Sequence, residues 1–181
     1  MKLDHPIHID LLEFFKTGKF DYLKLGQTKD WIKRNFPDSD EMYRDDYASP
    51  IWWYGNIELH FNDDETLSLI YSDYIETLEG GPSLQLNKWI LSEPEKLTLE
   101  YVIHHLNIER VGFKLEHRTS SQGLVNTNIE IIASNILLGF SPLEYDEETV
   151  EEFIARCKTE DSNKFKLVAF GLSARQSQTS D

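Results

Sequence analysis

The residue types able to do chemistry in this chain are its histidines and acids, so each grouping is weighed against the reaction it would serve. Glu58 and His60 sit in an alternating stretch, Ile57-Glu58-Leu59-His60-Phe61, and therefore point to the same, outward side of a strand. A carboxylate beside an imidazole suits acid-base work, but a hydrolase built on it also needs a nucleophile. No Gly-x-Ser-x-Gly elbow occurs, and the single Cys157 falls on the apolar stripe of a helix with Phe153 and Ile154, where a thiol behaves as a small hydrophobe. His5, His8 and Asp10 lie near one another without the spacing of a metal motif. His104-His105 falls towards the polar side of a helix, and His117 shares the inward side of a strand with Leu115. Asp63-Asp64-Glu65 and Glu147-Glu148 fit a turn and a helix start, where acids are locally favoured. Asp38-Ser39-Asp40-Glu41 lacks the Gly and distal Glu of a calcium loop, and Gly80-Gly81-Pro82 lacks the Gly-Lys of a phosphate cradle. No catalytic residue, cofactor or metal ligand is assigned on these grounds, and the chain is not expected to be an enzyme.

Binding chemistry is better represented. Trp52-Trp53-Tyr54 is the sharpest local feature: on a strand Trp52 and Tyr54 share one side and Trp53 has the other, so at least one large aromatic is expected on the less buried side. Trp52 and Tyr54, flanked by Asp45, Asp46, Glu58, His60, Asp63 and Asp64, form the candidate protein-binding surface, the mixture suited to a basic partner. The structural alternative places all three aromatics in the core or at its rim.

The chain has 181 residues with 32 acids against 18 bases, a formal net charge of −14. Such a charge repels phosphate backbones, and the basic residues do not cluster, so neither nucleic acid nor a membrane surface is an expected partner. One Cys allows no disulfide framework, four Trp and ten Phe argue for a packed core, and no run approaches a membrane-spanning length. Met1-Lys2-Leu3-Asp4-His5-Pro6 does not read as a signal peptide, so a cytoplasmic location is expected.

The elements that must carry these residues form an α+β pattern. Asp10 and Glu13 predict a capped helix to about Lys16, stopped at Gly18; Thr28 predicts a second, carrying Trp31, Ile32 and Phe36. Strands follow over 52–54 and 57–61, turning at Gly55-Asn56, and over 67–71 after Asn62-Asp63-Asp64-Glu65. Gly80-Gly81-Pro82 is the best boundary or hinge. Ser92-Glu93-Pro94-Glu95 predicts a cap for a helix with Leu99, Val102, Ile103 and Leu106 on its apolar stripe. A hairpin over 113–131, a strand over 136–140, an acidic helix from about Asp146 to Lys158 and a strand around Phe165 to Ala169 complete the chain. The expected fold is one domain, an antiparallel sheet with helices packed on one face.

Thr28-Lys29-Asp30-Trp31-Ile32 aligns with Thr98-Leu99-Glu100-Tyr101-Val102, which suggests two tandem helix-plus-hairpin halves, 9–79 and 83–143. A C-terminal helix and strand (144–171) and a flexible tail (172–181) follow them. Past the helix the match loses register, because Gly55 and Gly112 lie at different distances from Thr28 and Thr98.

Residues 11–20 (Leu-Leu-Glu-Phe-Phe-Lys-Thr-Gly-Lys-Phe), 23–28 (Leu-Lys-Leu-Gly-Gln-Thr) and 53–61 (Trp-Tyr-Gly-Asn-Ile-Glu-Leu-His-Phe) resemble a pattern in a group of small, uncharacterised bacterial proteins, some of them similar to immunity proteins of toxin systems. The likeness spans roughly 9–72. As architecture only, tandem helix-plus-sheet halves also resemble beta-lactamase inhibitor proteins. Both resemblances imply binding without catalysis. The expected function is that of an acidic immunity-type inhibitor that occludes a basic toxin or enzyme; the alternatives are a homo-oligomeric assembly module and, behind it, a hydrolase-type enzyme using an acid/His pocket.

Overall fold

A computed structural model describes residues 6–40, 49–119, 125–142, 149–157 and 161–174. Asp10 does cap the first helix: its side chain accepts from the Glu13 amide, and α1 (Leu11–Thr17) ends where Gly18 turns left-handed at φ 72°. The i, i+3, i+4 set Leu11, Phe14 and Phe15 is fully buried. Thr28 caps α2 (Lys29–Asn35) by accepting from the Trp31 amide. Just ahead of α1, β1 (Ile7–Asp10) pairs in parallel with β5 (Leu84–Asn87), two segments too distant in sequence for local pattern to reveal.

The main sheet has seven strands. In chain order these are β2 (Ile51–Tyr54), β3 (Ile57–Phe61), β4 (Leu67–Ser72), β6 (Phe113–Thr119), β7 (Val125–Ile131), β8 (Ile136–Ser141) and β9 (Lys166–Ser173). Their spatial order is β2-β3-β4-β9-β8-β7-β6, antiparallel throughout. Alternation assigns the two sides: Trp52, Tyr54, Leu59, Ile70, Phe170, Leu138 and Ile129 are buried, while their strand neighbours are half-buried or exposed. The buried side packs on the helices, with the Phe15 and Phe170 rings 5.4 Å apart edge to face and Phe36 meeting Tyr54 at 5.5 Å. The expected α+β sheet with helices on one face is the architecture seen.

Three boundaries differ from expectation. Ser92 does not start the long helix; Trp89–Ser92 and Pro94–Lys96 are short 3-10 turns, and α3 (Leu99–Ile108) is capped by Thr98 instead. Leu97 is committed to the sheet, its carbonyl accepting from the Leu167 amide, so the helix cannot begin before Thr98. The acidic helix, α4 (Val150–Cys157), starts where Thr149 and Glu152 cap each other reciprocally rather than near Asp146. The tail expected over 172–181 begins later, because Leu172 and Ser173 belong to β9 and pair with Ile70 and Leu69. Asp146 itself, the Cys157 side chain and residues 175–181 lie outside the described residues.

The aligned threonines occupy matching sites. Thr28 bridges to Thr66 at the foot of β4, and Thr98 bridges to Lys166 at the foot of β9. Each bridge uses the same bonds: Lys29 N donates to Glu65 O and Leu67 N to Gln27 O, just as Leu99 N donates to Phe165 O and Leu167 N to Leu97 O. Both sheets of strands also slip at one place, between His60 and Phe61 against Leu69 and Leu67, and between Gly139 and Phe140 against Ala169 and Leu167. The two arrays thus correspond about an approximate two-fold axis through the facing pair Tyr71 and Gly171. The turn matching Gly55-Asn56 is Ile132 to Asn135, and Gly112 leads into the additional strand β6, which is why the glycine spacing loses register. The strand matching β4 is β9, which lies beyond residue 143.

Candidate functional site

The side of the sheet turned away from α1 and the buried core gathers the candidate groups. Reading across the strands, Trp53 faces Glu58, Glu58 faces Tyr71, Tyr71 faces Gly171, and Gly171 faces Leu137. Glu58 ties two neighbours together: its Oε1 accepts from Trp53 Nε1 at 3.3 Å, and its Oε2 lies 2.6 Å from His60 Nε2. The His60 ring stands edge-on to Tyr71 at 6.1 Å. Burial, and then the charges of Asp73 and Glu58, push the Tyr71 phenol above its ordinary pKa, so it stays protonated and able to donate.

Beside this cluster the side chains become small. Gly139, Ala169 and Gly171 floor a cavity of about 340 Å³ whose walls include Leu69, Tyr71 and Leu137. Gly139 has no left-handed backbone, and a Cβ there would meet nothing closer than 3.7 Å, so neither conformation nor crowding demands glycine. A strand glycine of that kind leaves room for something to approach the sheet closely. A larger cavity of about 520 Å³ lies between the segment after β4 and the start of β9, lined by Asp73, Tyr74, Glu95 and Lys166, among others; Lys166 Nζ there donates to the Glu95 carbonyl.

The expected site residues separate. Glu58 and His60 belong to the open side. Trp52 and Tyr54 do not: they are 3% and 1% exposed, and the aromatic that reaches the open side is Trp53. The hairpin itself carried the missed signal. A two-residue turn at Gly55-Asn56 pairs Trp52 with Leu59 and Tyr54 with Ile57, and directly paired residues share a face, so Trp52 and Tyr54 must join the apolar side. Tyr54 goes further, its hydroxyl donating to the Pro37 carbonyl at 2.8 Å.

Among the described residues the acids do not assemble into one face. Asp63 and Asp64 are exposed on the β3-to-β4 turn, where Asp64 accepts from Thr66. The β8-to-β9 connection carrying Glu151 and Glu152 leaves and returns at the opposite end, because β4 and β9 run antiparallel. Asp40 sits at that opposite end, its Oδ2 accepting from the Gly55 amide at 2.5 Å. Burial, with a smaller push from Glu79, raises the Asp40 carboxyl above its ordinary pKa, against the pull of the Gly55 bond. Asp45 and Asp46 lie outside the described residues.

His105 is half-buried, 4.4 Å from the Tyr101 ring, while His104 is exposed. His117 bonds Thr127 at 2.9 Å. Among the described residues no three His, Cys, Asp or Glu side chains converge as metal ligands, and no helix is long and apolar enough to cross a membrane. Comparison with protein families, curated proteins and solved structures found no match to this chain.

Proposed function

We propose that this chain is a non-enzymatic binding protein that holds a basic partner protein against the open side of its sheet. Its action would be that of an immunity-type inhibitor, covering the partner's working surface. The observation that carries the reading is a sheet side left open among the described residues: an apolar hollow lies between half-buried Tyr71 and exposed Leu137, with Glu58 and half-buried Trp53 on the strands beyond Tyr71. Aromatic anchors around a pocket are the usual centre of a protein interface, and a net charge of −14 favours a basic partner.

A hydrolase built on Glu58 and His60 is the rival reading. The nearby Ser68 hydroxyl donates to the carbonyl of His60 at 3.0 Å, so it is not aligned on the imidazole as a nucleophile would be. The deciding experiment immobilises the intact chain, passes lysate of the source cells over it, and repeats this with Leu137→Glu on the open side and Ile108→Glu on α3. A retained basic protein should fall about tenfold with Leu137→Glu and stay unchanged with Ile108→Glu. Equal retention by both variants would remove the open side from the account.

A further inference from the structure

Among the described residues β6 closes one end of the main sheet, paired with β7 on one side only. Seven residues long, it carries neither of the backbone devices that stop an edge strand from pairing further, a proline or a bulge; its charged residues, Lys114, Glu116 and Arg118, restrict the partner by register instead. The free edge has a definite chemistry. Gly112 O accepts from Ile132 N, so even-numbered positions along the strand turn their amides and carbonyls towards β7, and Phe113, Leu115 and His117 turn theirs outward. Leu115 is also 42% exposed, a large aliphatic side chain on the helix side of the sheet where the last strand is uncovered.

We infer that a second copy of this chain pairs antiparallel with β6 about a two-fold axis at Leu115, making one continuous sheet across a homodimer. Register decides the occupant. Outward groups must meet outward groups, so the axis has to pass through a residue rather than between two. An axis at Lys114 or Glu116 sets like charges opposite each other: Lys114 against itself, or Glu116 against itself with Lys114 facing Arg118. At His117 Glu116 would face Arg118, but two imidazoles would meet on the axis and Leu115 would have no aliphatic partner. At Leu115 the pairs are Leu115 with Leu115, Phe113 with His117, and Lys114 with Glu116 twice, once for each copy. Opposite charges directly across an antiparallel pair stabilise it, and an aliphatic pair on the axis removes both exposed leucines from water. The open side of each sheet remains available, so this contact is independent of the partner proposed above.

Analytical ultracentrifugation of the intact chain over a range of concentrations, with charge swaps at the two positions, tests the assignment. The wild-type chain should dimerise, and Lys114→Glu or Glu116→Lys should each weaken dimerisation about tenfold, since each swap sets two like-charge pairs across the axis. The double variant Lys114→Glu/Glu116→Lys should recover to within about threefold of wild type, because it restores both pairs with their signs exchanged. Circular dichroism of the singles should match wild type; the urea midpoint of Lys114→Glu should fall slightly, because Lys114 lies 3.8 Å from Glu130 on β7 and the swap sets two acids across that pair. A monomer at every concentration, a dimer indifferent to Lys114→Glu, or a double variant no better than the singles would each overturn it.

Discussion

Gly81 has φ +61°, and a Cβ on it would fall 2.4 Å from Asp40 Oδ2 and 2.8 Å from the Gly55 amide. Both the backbone angle and the crowding exclude a side chain, because the 79–81 segment lies against the β2-to-β3 turn, where Asn56 N donates to Glu79 O at 2.9 Å. Gly81→Ala should therefore lower unfolding free energy by about 2 kcal/mol, read from urea melts, whereas Gly26→Ala, with nothing within 4 Å of its Cβ, should lose only its left-handed preference of about 1 kcal/mol. A smaller difference between the two would mean that the clamp yields. Sequence pattern found the glycine pair but not its task, since a flexible boundary and a crowded clamp use the same residues. The Trp52-Trp53-Tyr54 run was half legible in the same way. Alternation separated Trp53 from its neighbours, but only cross-strand pairing with Leu59 and Glu58 decides which side faces the core.

At the level of elements, the helix caps were the most legible features because they are local. Asp10 and Thr28 act through bonds spanning three residues, which a short window contains. Ser92-Glu93-Pro94-Glu95 satisfied the same window and still failed, since Leu97 is held by β9, a strand far along the chain. The parallel pair β1 and β5, and the adjacency of β4 to β9, were hidden for the same reason: long-range pairing leaves no periodicity in either partner alone. Thr28 and Thr98 now make a paired experiment. Each accepts from an amide three residues on, and each is anchored to the foot of a central strand. Thr28→Ala and Thr98→Ala should each cost about 1 kcal/mol in chemical denaturation, by nearly equal amounts. A negligible effect at Thr98 alone would show that the bridge to β9, rather than the hydroxyl, sets the start of α3.

For the whole molecule, the net charge is −14 and the described acids stand at both ends of the sheet, Asp63 and Asp64 at one and Asp40, Glu151 and Glu152 at the other, so long-range field and local contacts are separate questions. Steering depends on total charge and is screened over about 8 Å at physiological salt, while anchoring depends on the residues in contact. Once a basic partner is in hand, its association rate should fall about tenfold from about 0.01 to 0.15 M salt, and its dissociation rate should change far less; stopped-flow mixing separates the two. A salt-insensitive association rate would confine the acids to keeping the protein dissolved. The two-fold correspondence through Tyr71 and Gly171 has one more consequence. On the helix side the matched residues keep similar character: Leu59 with Leu138, Phe61 with Phe140, Leu67 with Leu167, Ile70 with Phe170. On the other side they do not: Glu58 stands where its counterpart is Leu137, His60 opposite Gly139, Trp53 opposite Glu130. Packing holds one side of the pattern and releases the other. On the binding role proposed above, such a scaffold would exchange its partner by substitution on the released side, leaving untouched the interior that lets it fold.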